Sequence, residues 1–264
     1  MSDQQAVIVK EIGHIAQIQL NRPHNRNSMT PELLDAFAAA VAQVRDLAQI
    51  RCVVVTGSGD NFSAGADFRS QIQRDEPGQF RTSAERSYAM YTPFLSLLDL
   101  EVPVIGALNG HAIGGGFGLA LVTDLRIACV TAKYGATFAR LGLHSGMAIS
   151  YLLPRLVGVQ RAAELLFTGR VFHGDEGERM GLFLQALPSA DVLPAAMALA
   201  EQIAANAPIA VRLMKKSFYE MQGWDPRAAA WREAFAQATT VDTADAKEGM
   251  AALLGKRRPV FDGR

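Results

Sequence analysis

Apolar and polar positions change period several times along the chain. Over residues 6–20 two apolar runs flank Lys10-Glu11-Ile12-Gly13, and Ala16, Ile18 and Leu20 alternate with glutamines, which predicts a β-hairpin. Thr30-Pro31-Glu32 then opens a helix, with a capping residue before a proline at the first helical position. That helix carries Leu33, Leu34, Phe37, Val41 and Val44 at a spacing of three to four. Cys52–Gly57 is a short β-branched run of the kind buried on both faces of a sheet. Turn-forming residues fill Gly57–Phe68. Residues 70–85 are polar and irregular and are expected to form a mobile flap, followed by an apolar helix around Tyr88–Leu98 whose Tyr88 and Tyr91 are placed to reach a pocket, although aromatics at that spacing usually belong to the core.

A second buried strand is expected at Val104–Leu108 and a third at Leu125–Cys129, with a helix opened by Gly114-Gly115-Gly116 between them. After Ala139 the pattern reads as helical throughout, with helices predicted at 147–156, 159–167, 192–205, 208–221, 226–239 and 242–255. The chain is therefore expected to be α/β, with a strand-and-helix core over residues 1–190 and a helical segment over 191–264.

Composition narrows the function classes. A length of 264 residues can bury a sizeable core, and 26 basic against 26 acidic side chains argue against a nucleic-acid partner. The stretch Val102–Thr123 has no charged Asp, Glu, Lys or Arg, yet Pro103, Asn109, His111 and six glycines make it a folded interior rather than a membrane span. Two cysteines, Cys52 and Cys129, form no disulfide framework and match no zinc spacing. Residues 1–5 show neither a basic nor an apolar targeting region, so a cytoplasmic location is expected.

Two glycine clusters carry the candidate chemistry. Ser63-Ala64-Gly65-Ala66-Asp67 follows a buried strand and lets the backbone approach a ligand closely. Gly114-Gly115-Gly116 lies at a strand-to-helix junction, where the first amides lack internal acceptors and suit a developing negative charge. One amide from each cluster would make an oxyanion hole, although small residues also serve close helix–sheet packing. No G-x-G-x-x-G, Walker A, G-x-S-x-G or H-E-x-x-H motif is present, so nucleotide cradles, a serine elbow and a zinc site are unsupported.

The residues resemble the crotonase superfamily, the enoyl-CoA hydratase/isomerase fold. The matches are Asn21-Arg22-Pro23 with Asn27, Phe62–Asp67, Pro103–Gly110, Ala112–Gly116, Asp124–Ala128, Leu152–Gly158, Ala162–Gly169 and Gly181-Leu182. The resemblance implies a spiral of ββα units with a helical C-terminal segment for trimerisation or as a lid. It also implies trimers or dimers of trimers, coenzyme A as the substrate carrier with no covalently bound cofactor, and no metal. By the same resemblance the backbone amides of Ala64 and Gly115 hold the thioester oxygen. The acyl-CoA thioester is expected at Arg22, Arg26, Ser28, Ala64, Gly65, Ala66, Asp67, Phe68, Gly115, Phe138 and Lys256, with Lys215-Lys216 and Arg257-Arg258 as further cations for its phosphates.

Hydratases of that family resemble one another in using two glutamates. The corresponding positions here hold Gly118 and Phe138, and a third position, where other members keep an aspartate, holds Gly146. Between Val102 and Ala163 the one carboxylate is Asp124, read as structural, against five basic residues. Asp67, His144 and Arg140 remain as candidates for proton transfer or for clamping a substrate carboxylate; His111 reads as a packed residue. The expectation is an acyl-CoA enzyme that stabilises a thioester enolate and hydrates crotonyl-CoA poorly. Isomerisation, decarboxylation, C–C hydrolysis and catalytically silent acyl-CoA binding are the alternatives.

Overall fold

Alternating side chains close the hairpin as predicted. In the computed structural model, which describes residues 5–67 and 82–264, β1 (Val7–Ile12) and β2 (Ile15–Leu20) pair antiparallel with Val7 opposite Leu20 and Ile12 opposite Ile15. The fully buried β3 (Cys52–Gly57) joins β2 in parallel, with Val53 opposite Ala16. Then β5 (Val104–Leu108), β7 (Leu125–Cys129) and β10 (Gln185–Leu187) extend the sheet in the order β1-β2-β3-β5-β7-β10. A second sheet runs β4-β6-β8-β9, from β4 (Asn61–Ser63), β6 (His111–Ile113), β8 (Lys133–Gly135) and β9 (Phe172–His173).

Each of β3, β5 and β7 is followed within a few residues by a strand of the second sheet and then by a helix. The chain thus winds as repeated ββα units. None of the four short strands was legible as a strand, because two or three residues are too few to establish an alternation. The wholly helical reading after Ala139 is corrected by β9 and β10.

Helix α1 (Pro31–Arg45) starts where expected, Thr30 Oγ1 accepting from Leu33 N at 3.3 Å, and buries Leu33, Leu34, Phe37, Val41 and Val44. Helix α2 (Ser83–Leu95) opens on a reciprocal capping box between Thr82 and Glu85. The expected flap lies outside the described residues over 70–81. Helix α3 (Gly115–Val122) is buried along its whole length, so glycines and alanine among its residues reflect close packing on all sides. Helices α4 (Ile149–Val157), α5 (Val159–Thr168) and α6 (Gly174–Arg179) follow. The last four are α7 (Ser189–Ala204), α8 (Pro208–Glu220), α9 (Pro226–Val241) and α10 (Ala244–Leu254).

Helix α7 packs on β3, β5 and β7, so the helical segment begins as a layer of the core. In contrast α9 buries no residue, and Trp231, Phe235, Leu253 and Leu254 are exposed on the last two helices. No single helix among the described residues is long and apolar enough to cross a membrane. The charge-free stretch that raised the question is divided among β5, β6 and α3.

The core is aromatic as well as aliphatic: Phe37 meets Phe94 edge-on at 4.9 Å, and Tyr134 meets Phe183 at 4.7 Å. Both cysteines are buried and unpaired. Burial, and secondarily the charge of Asp124, pushes the Cys52 thiol up to about 12. The reactive form is the thiolate, so Ellman's reagent should modify neither cysteine in the native protein and both after denaturation. Rapid native labelling would contradict this packing.

Candidate active site

Asn27 organises the first half of the site. Its buried side-chain amide donates to the carbonyls of Ser58 (3.1 Å) and Asn61 (2.8 Å), while its Oδ1 accepts from Arg22 N at 2.8 Å. Arg26 and Asn27 both lie at positive φ, a double bend that those bonds hold in place. The loop is then laced to the first glycine cluster: Ser63 Oγ donates to the Asn27 carbonyl (2.8 Å), Ala64 N to the Arg26 carbonyl (3.0 Å) and Met29 N to the Gly65 carbonyl (2.8 Å).

This lacing corrects the expectation for Ala64. Its N–H is already donated to Arg26, and the Gly65 N–H is directed at Ser63 Oγ (3.3 Å). Of the three consecutive amides, that of Ala66 alone has no acceptor among the described residues. Gly65, at φ +80°, makes the turn that separates the engaged amides from the open one.

The second half is the start of α3. Gly114, at φ +56°, anchors the junction by donating to the Gly135 carbonyl at 2.9 Å. The next two amides, Gly115 and Gly116, have no acceptor among the described residues and sit at the positive end of the helix. The two clusters touch. A Cβ on Gly65 would stand 2.5 Å from the Ile113 carbonyl and 2.9 Å from Gly115 N, so only glycine allows the approach. The open amides of Ala66 and Gly115 thus come from neighbouring backbone segments, the arrangement needed to hold one oxygen between them.

One helical turn beyond Gly115, a Cβ on Gly118 would collide with Met147 Cβ and lie 2.9 Å from its Cγ. Met147 is fully buried, and it and Ala148 both adopt positive φ. The space beside Gly146 is taken by Tyr91: a Cβ there would lie 2.5 Å from Tyr91 Cζ and closer still to the hydroxyl. Phe138 approaches the other cluster, its Cζ 3.9 Å from where a Cβ on Gly114 would be.

The remaining expected residues fall into separate places. Arg22 pairs with Glu32, and Ser28 Oγ donates to the Asn25 carbonyl at 2.6 Å, so both brace their own loop. Arg26 and Lys256 are exposed, and Lys256 lies just beyond α10. Asp67 follows the open amide; Phe68 lies outside the described residues. Arg140 turns toward the end of α5, its Nε donating to the Thr168 carbonyl at 3.2 Å, and exposed His144 places Nδ1 2.7 Å from the Ser145 carbonyl.

His111 accepts from Lys133 N at 2.8 Å, and burial followed by the Lys133 charge holds it below the usual imidazole range, as a neutral acceptor requires. Asp124 is structural. Lys215 is taken up by Asp124 (2.9 Å) and the Val102 carbonyl (2.9 Å), which removes it from the expected phosphate-binding cations. A cavity of about 960 Å³, lined by residues including Pro103, Leu125, Met214, Tyr219, Ala234 and Thr240, lies beside α8 and α9; no residue of the glycine loops lines it.

Residues 10–264 match the family model described as enoyl-CoA hydratase/isomerase. The chain belongs to the enoyl-CoA hydratase/isomerase family. YngF of Bacillus subtilis (strain 168) is 36% identical over 252 residues, covering 95% of each chain. The crotonyl-CoA hydratase of Syntrophomonas wolfei is 34% identical over 258 residues and 97% of each chain. A solved enoyl-CoA hydratase structure from Bacillus anthracis superposes with a TM-score of 0.92 at 34% identity, over 98% of this chain and 100% of that one. The crotonase-like spiral with its C-terminal helices is therefore the family fold.

Within that family fold, two features were not legible in the sequence. Ala66 differs from Ala64 only in where its N–H points, a property set by the Arg26 carbonyl. Tyr91 reads as one more aromatic on an apolar helix; its contact with Gly146 joins residues far apart in the chain.

Proposed function

We propose that this family member binds acyl-CoA thioesters and stabilises the thioester enolate between the amides of Ala66 and Gly115, without the usual hydratase carboxylates. The observation that carries this reading is the pair of acceptor-free amides on adjoining glycine loops, one at a helix N-terminus. Arg26, Gly65, Asp67, Phe138 and Lys256 are the residues we assign to the thioester and its carrier. The carboxylate positions support the departure from hydration: Gly118 faces Met147, Gly146 faces Tyr91, and Asp124 is held in a structural ion pair. Syn-addition of water needs one group to activate the water and another to protonate carbon. Decarboxylation makes lighter demands, since it needs an oxyanion hole and only a late proton source.

The exposed aromatic and aliphatic side chains of α9 and α10 support self-association, which we assign to a homotrimer or a dimer of trimers. The two buried free thiols suit a reducing cytoplasm.

A mass-spectrometric panel of enoyl-, malonyl- and β-keto-CoA thioesters tests the reading. We expect thioester binding, turnover of a non-hydration substrate and slow hydration of crotonyl-CoA. Hydration at the rate of an efficient hydratase would place the acid and base on groups not assigned here.

A further inference from the structure

We propose that the Tyr91 hydroxyl is the proton-transfer group of this site, delivering the proton that the α-carbon of the thioester enolate accepts. The proposal rests on the acyl-CoA reading above. Three observations carry it. Gly115 and Gly118 are one turn apart on α3, so a side chain at 118 would project from the same helix that carries the open amide. The space such a side chain would enter is closed by Met147, and the residue before Met147, Gly146, has the Tyr91 hydroxyl where its own Cβ would be. The two glycines at carboxylate positions thus lead, through one residue, to one phenol.

The hydroxyl also has no partner among the described residues. Tyr91 is half-buried, its ring packs against the core, and its oxygen makes no hydrogen bond among the described residues. Buried Tyr134 behaves otherwise, donating to the carbonyl of Cys129 at 3.0 Å. A half-buried phenol beside Gly146 with no partner among the described residues is available to a ligand or a water. Its position is held by α2, which packs directly on α3, and by the positive-φ pair Met147-Ala148, which turns Gly146 toward it.

In the proposed step the enolate electron pair forms a bond from the α-carbon to the phenolic proton as the O–H bond breaks. The negative charge leaves the thioester oxygen, which returns to a carbonyl, and resides on the Tyr91 oxygen until a proton from water restores the phenol. The amides of Ala66 and Gly115 release the charge they held. No oxidant is consumed; water supplies the restoring proton and leaves as hydroxide to solvent. By microscopic reversibility the phenolate form of the same group, its proton having passed to water, removes the α-proton of a saturated thioester, so the step can be read in isolation.

The test is exchange of the α-protons of butyryl-CoA in D₂O by the full-length protein, read by mass spectrometry, with butyryl-CoA affinity measured alongside. We expect exchange by the wild type and a loss of about 100-fold or more in Tyr91→Phe, at an affinity within about twofold of wild type. Gly146→Ala, whose added methyl displaces the hydroxyl, should slow exchange as well, whereas Tyr151→Phe, which removes a surface phenol, should not. A merely structural role for Tyr91 would change affinity or melting temperature and spare exchange per bound thioester. Exchange in Tyr91→Phe within about twofold of wild type overturns the proposal, as does a wild type that binds butyryl-CoA and exchanges nothing; the acyl-CoA reading survives both. A wild type that fails to bind butyryl-CoA removes that reading and the Tyr91 role with it.

Discussion

Replacing Ala66 with proline is expected to lower turnover of the panel's best thioester about 10²- to 10³-fold, the usual cost of deleting one oxyanion donor. Proline removes the N–H and leaves the rest of the backbone in place. Ala66 is suited to the substitution because its amide has no acceptor among the described residues: the Met29 amide that holds this loop donates to the Gly65 carbonyl. Ala66 also lies outside the positive-φ region, where proline would not fit. Affinity for a saturated thioester should fall far less than turnover, since the charge to be held is greater in the enolate than in the ground-state carbonyl. Ala64→Pro is the contrast. It deletes a donor that ties the loop to Arg26 and should act first on stability. Unchanged turnover in a folded Ala66→Pro protein would remove Ala66 from the oxyanion hole.

The second large effect is on stability. Asp124 sits at the start of β7, where its Oδ2 accepts from Val104 N at 2.7 Å and pairs with Lys215 Nζ at 2.9 Å, and its Oδ1 accepts from the Tyr219 hydroxyl at 2.6 Å. The carboxylate thereby ties β5 and β7 to α8. The Asp124 and Lys215 side chains are only 15% and 13% exposed. Burial and the neighbouring carboxylate push the Tyr219 phenol above its ordinary range. Asp124→Ala leaves a nearly buried ammonium with the Val102 carbonyl alone and strips the acceptor from two further donors. Breaking such a pair from one side costs about 3 kcal/mol or more. For a chain of this size that is a drop of roughly 6–12 °C in melting temperature. Asp124→Ala/Lys215→Met should recover part of the loss by removing the stranded charge. A melting temperature within about 1 °C of wild type for Asp124→Ala would show that the network is not worth its geometry.

Much of the architecture was readable along the chain, and the reasons are local. The β1–β2 hairpin follows from alternation around Gly13, α1 from Thr30-Pro31 and its apolar spacing, and β3 from an unbroken β-branched run. The second sheet escaped because its strands are two or three residues long and take their identity from their neighbours. Asn61 and His111, for example, pair across fifty residues. The two glycine clusters were legible as candidate chemistry, since helix starts and small-residue turns expose amides wherever they occur.

The sequence by itself determined the family, the order of the principal strands and helices, and the two glycine clusters that we propose face the thioester oxygen. Periodicity, capping and glycine placement are properties of neighbouring residues, so they survive reading in one dimension. Which amides stay open among the described residues was decided only in the tertiary structure, by the Arg26 carbonyl that occupies Ala64 and not Ala66. The same holds for Tyr91, whose hydroxyl fills the space beside Gly146. Hydrogen-bond acceptors and packing contacts are assigned by proximity in space, and in both cases the deciding partner comes from a distant part of the chain.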